Sequence, residues 1–133
     1  LAVVAVEIDT TEKLGRPLVI YLVDLPSDPR LGRMEIARTV RGYIDEAGAP
    51  APDLIVGDFN MTRGSAAVRT IAPGFRDAWD EAGSGYGATF HRQLPLWYID
   101  QNLLGDGVVC QRLDFVDTVV SRHRAQLVWV DVR

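Results

Sequence analysis

Asp58 and Asn60 follow a short apolar run, Leu54-Ile55-Val56, and its glycine, Gly57. The run has the length and β-branched content of a buried strand. Residues two apart on an extended chain project to the same side, so the carboxylate and the carboxamide face one region. At the C-terminal end of a strand such a pair suits polarising a water or gripping an oxyanion. Open α/β sheets place their ligands at that end. The same spacing also suits an Asx-type turn, in which both side chains bond nearby backbone. The residues alone leave both readings open. Gly57 permits a close backbone approach or an unusual turn.

Three further polar residues sit where apolar stretches end or are interrupted. Asp24 closes Leu18-Val19-Ile20-Tyr21-Leu22-Val23. Asp100 lies inside Leu96-Trp97-Tyr98-Ile99-Asp100-Gln101-Asn102-Leu103-Leu104, where an acid is costly to bury unless paired. His123 lies in Ser121-Arg122-His123-Arg124. A histidine that meets an aspartate in space forms a general base with its orienter. Spacing along the chain does not say whether they meet. Singly, Asp100 reads equally well as a structural acid, and His123 as a surface loop residue.

The elements that must position these side chains follow from periodicity. Residues 1 to 8 and 17 to 23 read as strands joined by a polar turn over Thr10 to Gly15, an antiparallel hairpin. After Pro26-Ser27-Asp28-Pro29, apolar residues recur from Leu31 to Ala47 at three- and four-residue spacing. That is an amphipathic helix lying on a sheet, with Ser27 or Asp28 as cap and Pro29 in its first turn. Gly48-Ala49-Pro50-Ala51-Pro52 ends it. Short helices are expected over 64 to 71 and near Phe75 to Trp79, and Gly83 to Gly87 reads as a loop. Strands are expected over 96 to 104, 108 to 120 and 126 to 132. The pattern is α+β, with one long helix on strands in mixed order.

Composition narrows the classes. A chain of 133 residues suits one domain, and 47% apolar with 24% charged residues is ordinary for a globular protein. No run approaches the ~20 apolar residues of a membrane span. Cys110 is the single cysteine, which excludes an internal disulfide framework and a cysteine-rich zinc site, and assigns no compartment. A net charge of −4 disfavours nonspecific nucleic-acid binding without excluding a nuclease. The chain begins with Leu1, which points to a piece of something longer.

The order of the motifs adds to this. Val56-Gly57-Asp58-Phe59-Asn60, Thr89-Phe90, Tyr98-Ile99-Asp100 and Ser121-Arg122-His123-Arg124-Ala125 together resemble the C-terminal half of the endonuclease/exonuclease/phosphatase superfamily. Phe75-Arg76-Asp77-Ala78-Trp79 also resembles a common stretch of that family. The resemblance covers most of the chain. It implies a deoxyribonuclease I-like β-sandwich of two mixed sheets with outer helices, here only its C-terminal portion over residues 1–133. It implies a phosphoester substrate and Mg²⁺ or Mn²⁺. By analogy Asp58 would orient and deprotonate the attacking water and, with Asn60, serve the metal site, and Asn60 would also hold the site and the phosphate by hydrogen bonds. Asp100 would pair with His123, which would bind or protonate phosphate oxygens. Two positions depart from the pattern: Asp24 stands where the family carries a histidine, and Arg122 where it carries an aspartate. The family's metal-binding Glu and early Asn belong to the half not represented. The expectation is a phosphoesterase in the parent protein with the fragment itself inactive, or else a non-catalytic module of the same fold that binds a phosphate ligand or a protein. Half a sandwich also implies an exposed apolar sheet face or edge, hence self-association or a partner chain.

Overall fold

A computed structural model describes residues 1–133. Valine-rich β1 (Ala2–Ile8) and β2 (Leu18–Asp24) form the expected antiparallel hairpin. The link between them is a short helix, α1 (Thr11–Leu14), rather than a turn. Asp9 drives this locally, because its carboxylate accepts the N–H of Thr11 at 3.0 Å.

The long helix α2 (Arg33–Glu46) starts one turn later than its capping residues suggested, with Gly32 as N-cap. Asp28 is engaged elsewhere: it accepts the backbone N–H of Arg30 at 2.9 Å and binds the Arg30 guanidinium. Pro29 therefore lies in that local turn and not in the helix. The Arg33 guanidinium reaches back to the carbonyls of Pro26 and Asp28, pinning the 26–28 segment beside the helix start.

Then follow β3 (Leu54–Asp58), α3 (Ala66–Ile71) capped by Ser65, β4 (Arg76–Asp77), α4 (Ala78–Ala82) capped by Asp77, β5 (Asp100–Leu104), β6 (Val108–Val116) and β7 (Ala125–Val132). The apolar stretches foreseen from 96 and to 120 are shorter as strands. Residues 96–99 form a loop bridged to Phe90, and 117–120 turn away after β6.

Five strands make one mixed sheet in the order β1-β2-β3-β5-β4, with β2 and β3 parallel. β6 and β7 form a separate antiparallel pair. The second layer is thus a two-stranded ribbon, not a second mixed sheet. One face of the large sheet is closed by α2 and α3, through Tyr21, Val23, Ile55 and Leu103 packed with Ile36, Val40 and Ile71. The other face meets β6 and β7 through Leu18, Leu54, Leu104, Val108 and Leu113.

Gly57 explains how β2 and β3 come together at the end that carries the acids. Its φ is +138°, and a Cβ there would lie 2.0 Å from the Val23 carbonyl oxygen. The missing side chains of Gly83 and Gly87 make room for the Trp79 indole, which a Cβ would meet at 2.2 Å and 2.7 Å.

Candidate active site

Strand register sets the site. Asp24 is paired with Asp58 between β2 and β3, and Asp58 with Asp100 between β3 and β5. Paired residues point to one side of a sheet. The three acids therefore form a row across three adjacent strand ends. Their side is the one that faces β6 and β7, while Phe59, between Asp58 and Asn60, is fully buried in the helix-side core.

His123 closes over this row from the segment that leads into β7. Its Nδ1 lies 2.8 Å from Asp100 Oδ2 and 3.1 Å from Oδ1. A carboxylate only accepts, so this contact makes Nδ1 the protonated nitrogen and leaves Nε2 to face the row. Nε2 is 3.8 Å from Asp58 Oδ2. The pairing that linear spacing left open is thus made.

Several contacts fix His123 in place. The Phe90 ring lies 4.9 Å from the imidazole, tilted by 46°. Arg124 N donates to the Thr89 carbonyl at 2.8 Å, and Arg92 N to the Arg122 carbonyl at 2.7 Å. The Thr89 hydroxyl, itself buried, donates to Asp100 Oδ2. Asn102 Nδ2 donates to Gln126 Oε1 at 2.9 Å, and Gln126 Nε2 to the Asp100 carbonyl at 3.1 Å. This amide pair ties β7 to β5 directly behind the histidine. Sequence reasoning assigned no role to Asn102 or Gln126. The signal available was a carboxamide inside each apolar strand, since a buried amide demands a partner.

The Asx-type turn of Asp58 and Asn60 is formed. Asp58 Oδ1 accepts the backbone N–H of Asn60 at 2.9 Å, an Asx-type turn that puts Asn60 at φ +48°. Asn60 Nδ2 donates to the Leu25 carbonyl at 2.8 Å, fastening the end of β2 to the end of β3. Asp58 Oδ2 remains turned toward His123. Burial, and then the nearby Asp100 and Asp24 charges, raise the Asp58 carboxyl above the usual carboxylate range, against the Asn60 N–H and His123.

Asp58, Asp100 and His123 each offer a donor atom, and these lie within 4.8 Å of one another. As a metal grip the set is incomplete. Asp100 is engaged by His123 and Thr89, so the free donors are Asp58 Oδ2 and His123 Nε2. Mg²⁺ is commonly bound through one or two carboxylates plus waters and phosphate oxygens, which Asp58 fits; Mn²⁺ also accepts imidazole.

An open groove of about 880 Å³ borders the row, lined among others by Asp24, Asp58, Asn60, His123, Arg122 and Trp97. Asp24 and Arg122 are both exposed there.

No protein-family model matches the chain, and no curated protein matches it. Solved structures do. A conserved protein of unknown function from Enterococcus faecalis V583 superposes with a TM-score of 0.73 at 21% identity, over 91% of this chain and 52% of that one. An endonuclease/exonuclease/phosphatase from Bacteroides vulgatus gives 0.67 at 21% identity, over 92% and 52%. The mannosyl-6-phosphatase of Bacteroides thetaiotaomicron VPI-5482 gives 0.65 at 15% identity, over 90% and 53%. The chain spans about half the length of the structures it matches. Its fold is that of the endonuclease/exonuclease/phosphatase proteins, deoxyribonuclease I-like, over that half.

Proposed function

We propose that this chain carries the C-terminal half of a phosphoester-hydrolysing site. The observation that supports this most is His123, held at Nδ1 by Asp100 with Nε2 3.8 Å from Asp58 Oδ2, at aligned strand ends. The mannosyl-6-phosphatase and the endonuclease/exonuclease/phosphatase among the structural neighbours support the reaction class.

In this reading Asp58 is the general base. Burial raises its carboxyl above the ordinary carboxylate range, which makes it a stronger base than an exposed one. It accepts the proton of the attacking water through Oδ2. His123, with both ring nitrogens protonated, donates Nε2–H to a phosphate oxygen, and Asp100 fixes the ring's orientation through Nδ1. Asn60 holds the ends of β2 and β3 together through its carboxamide nitrogen. A bound Mg²⁺ or Mn²⁺, held by Asp58, would neutralise phosphate charge. Because the chain spans about half the length of the structures it matches, the isolated chain is expected to be inactive or nearly so.

The test is hydrolysis of p-nitrophenyl phosphate, bis(p-nitrophenyl) phosphate, a sugar phosphate and an oligonucleotide. It is run with Mg²⁺ or Mn²⁺ on the 133-residue chain and on the full product of its gene. Metal-dependent turnover by the full product, lowered at least about a hundredfold by Asp58→Asn or His123→Ala, is the expected result. The rate should rise with pH through a carboxylate midpoint above the ordinary one, because the base must lose its proton. No turnover of any substrate sinks the proposal.

A second reading, a non-catalytic phosphate-binding module, is favoured by Asp24 and Arg122 at the groove. Restoring the family pattern with Asp24→His and Arg122→Asp in the full product separates the two. A large gain in hydrolysis supports the module, and unchanged high activity rejects it.

A further inference from the structure

We infer that Arg122 is a phosphate anchor, so that the groove binds a phosphate group without a divalent cation. This rests on the phosphoester reading above and deepens it.

The row of Asp24, Asp58 and Asp100 makes the strand ends repulsive to an anion. A phosphate needs cationic donors to settle there. The groove offers Arg33, Arg122 and His123. Arg33 has its guanidinium on the carbonyls of Pro26 and Asp28. His123 has Nδ1 on Asp100, leaving Nε2.

Arg122 differs. Its side chain makes no hydrogen bond and no ion pair, although it lines the same groove as Asp24 and Asp58. Its neighbours are engaged: Arg92 pairs with Asp117 at 3.1 Å, and Arg124 Nε donates to the Arg92 carbonyl at 3.1 Å. The Arg122 backbone is not loose, because its carbonyl accepts Arg92 N at 2.7 Å. A fixed backbone thus carries an exposed fork of N–H donors at the mouth of the groove, next in sequence to His123. A guanidinium fork matches two oxygens of a phosphate. It also opposes a second cation nearby, so it takes over at this place the charge that a metal would otherwise bring.

The experiment is a titration of the 133-residue chain with inorganic phosphate, followed by calorimetry and by ¹⁵N spectra that include the arginine side chains. It is done once in EDTA and once in Mg²⁺. The expected result is about millimolar binding in EDTA that moves the Arg122 Nε and His123 signals. Arg122→Ala should weaken it by about tenfold or more, and Arg122→Asp should abolish it. Arg122→Lys should retain part of it, and Arg92→Ala all of it. Backbone spectra of each variant report the fold directly, and Arg122→Lys preserves the charge if the others unfold. Binding in EDTA that Arg122→Ala leaves unchanged overturns the inference. So does binding that appears only with Mg²⁺, which leaves the phosphoester reading standing. Absence of binding under both conditions also overturns the inference, and the phosphoester reading is then decided separately by turnover of the full product.

Discussion

On the helix side of the five-stranded sheet, Tyr21, Val23, Ile55 and Leu103 are at most 4% exposed beneath α2 and α3. On the opposite side Leu18, Leu54 and Leu104 are equally buried under β6 and β7, yet Val4 and Leu22 are 51% and 46% exposed. One face is finished and the other stops partway. The carboxylate row lies on the unfinished face, at the boundary between its covered and open parts. Stability and the proposed chemistry thus fall on opposite sides of the same strands. The alternation in β3 shows it residue by residue: Ile55 and Phe59 serve the core, Asp58 the groove.

The sharpest way to break this comparison is to weaken both faces alike. Ile55→Ala, at a fully buried site, should lower the unfolding free energy by about 2–5 kcal/mol in urea denaturation. A comparable loss for Leu22→Ala would show the open face to be covered after all. Next in size is Asp100→Asn, which replaces the acceptor-only carboxylate on His123 Nδ1 with an amide that also carries a donor, and should cost about 1–3 kcal/mol. The ¹⁵N shifts of His123 should show the neutral ring protonated at Nδ1 in the parent chain and lose that bias in the variant.

Asp77 tests the sheet's β4 edge, where it caps α4. Burial raises its carboxyl from 3.8 to about 6, against the Trp79 N–H and Arg63. Between those values the folded chain holds a proton that the unfolded chain has lost, so stability falls as pH rises from about 4 to 6. Asp77→Asn keeps a competent cap and removes that slope. It should be about 1–2 kcal/mol more stable than the parent at pH 7.5 and close to it at pH 4. A parallel pH dependence in both proteins would reject this. The smallest effect belongs to Leu22→Glu on the open face, within about 1 kcal/mol of the parent. If that face mediates self-association, the same change should shift sedimentation toward monomer at high concentration.

Much of this was readable in one dimension. The Leu54-to-Asn60 segment announced a buried strand with acids at its end because β-branched runs and a terminal glycine act locally. The hairpin of β1 and β2 and the amphipathic α2 were legible for the same reason. What spacing could not contain was contact between distant segments. His123 meets Asp100 because the 89–92 segment bridges to 122–124, and that bridge is tertiary. The late start of α2 came from competition, since Arg30 claimed the Asp28 cap before the helix could. The brace of Asn102 and Gln126 was invisible because neither amide has a sequence-local partner.

Gly57 carries a consequence for anyone who reads the chain by randomising it. Every L-residue would collide with the Val23 carbonyl, so position 57 should emerge from a saturation library as blank as a catalytic residue. It would do so in a screen for folding alone, with no substrate present. Asp58, one step along, should tolerate Asn in that screen and fail only when turnover is selected. Comparing the two screens would separate a residue that shapes the pocket from one that acts in it.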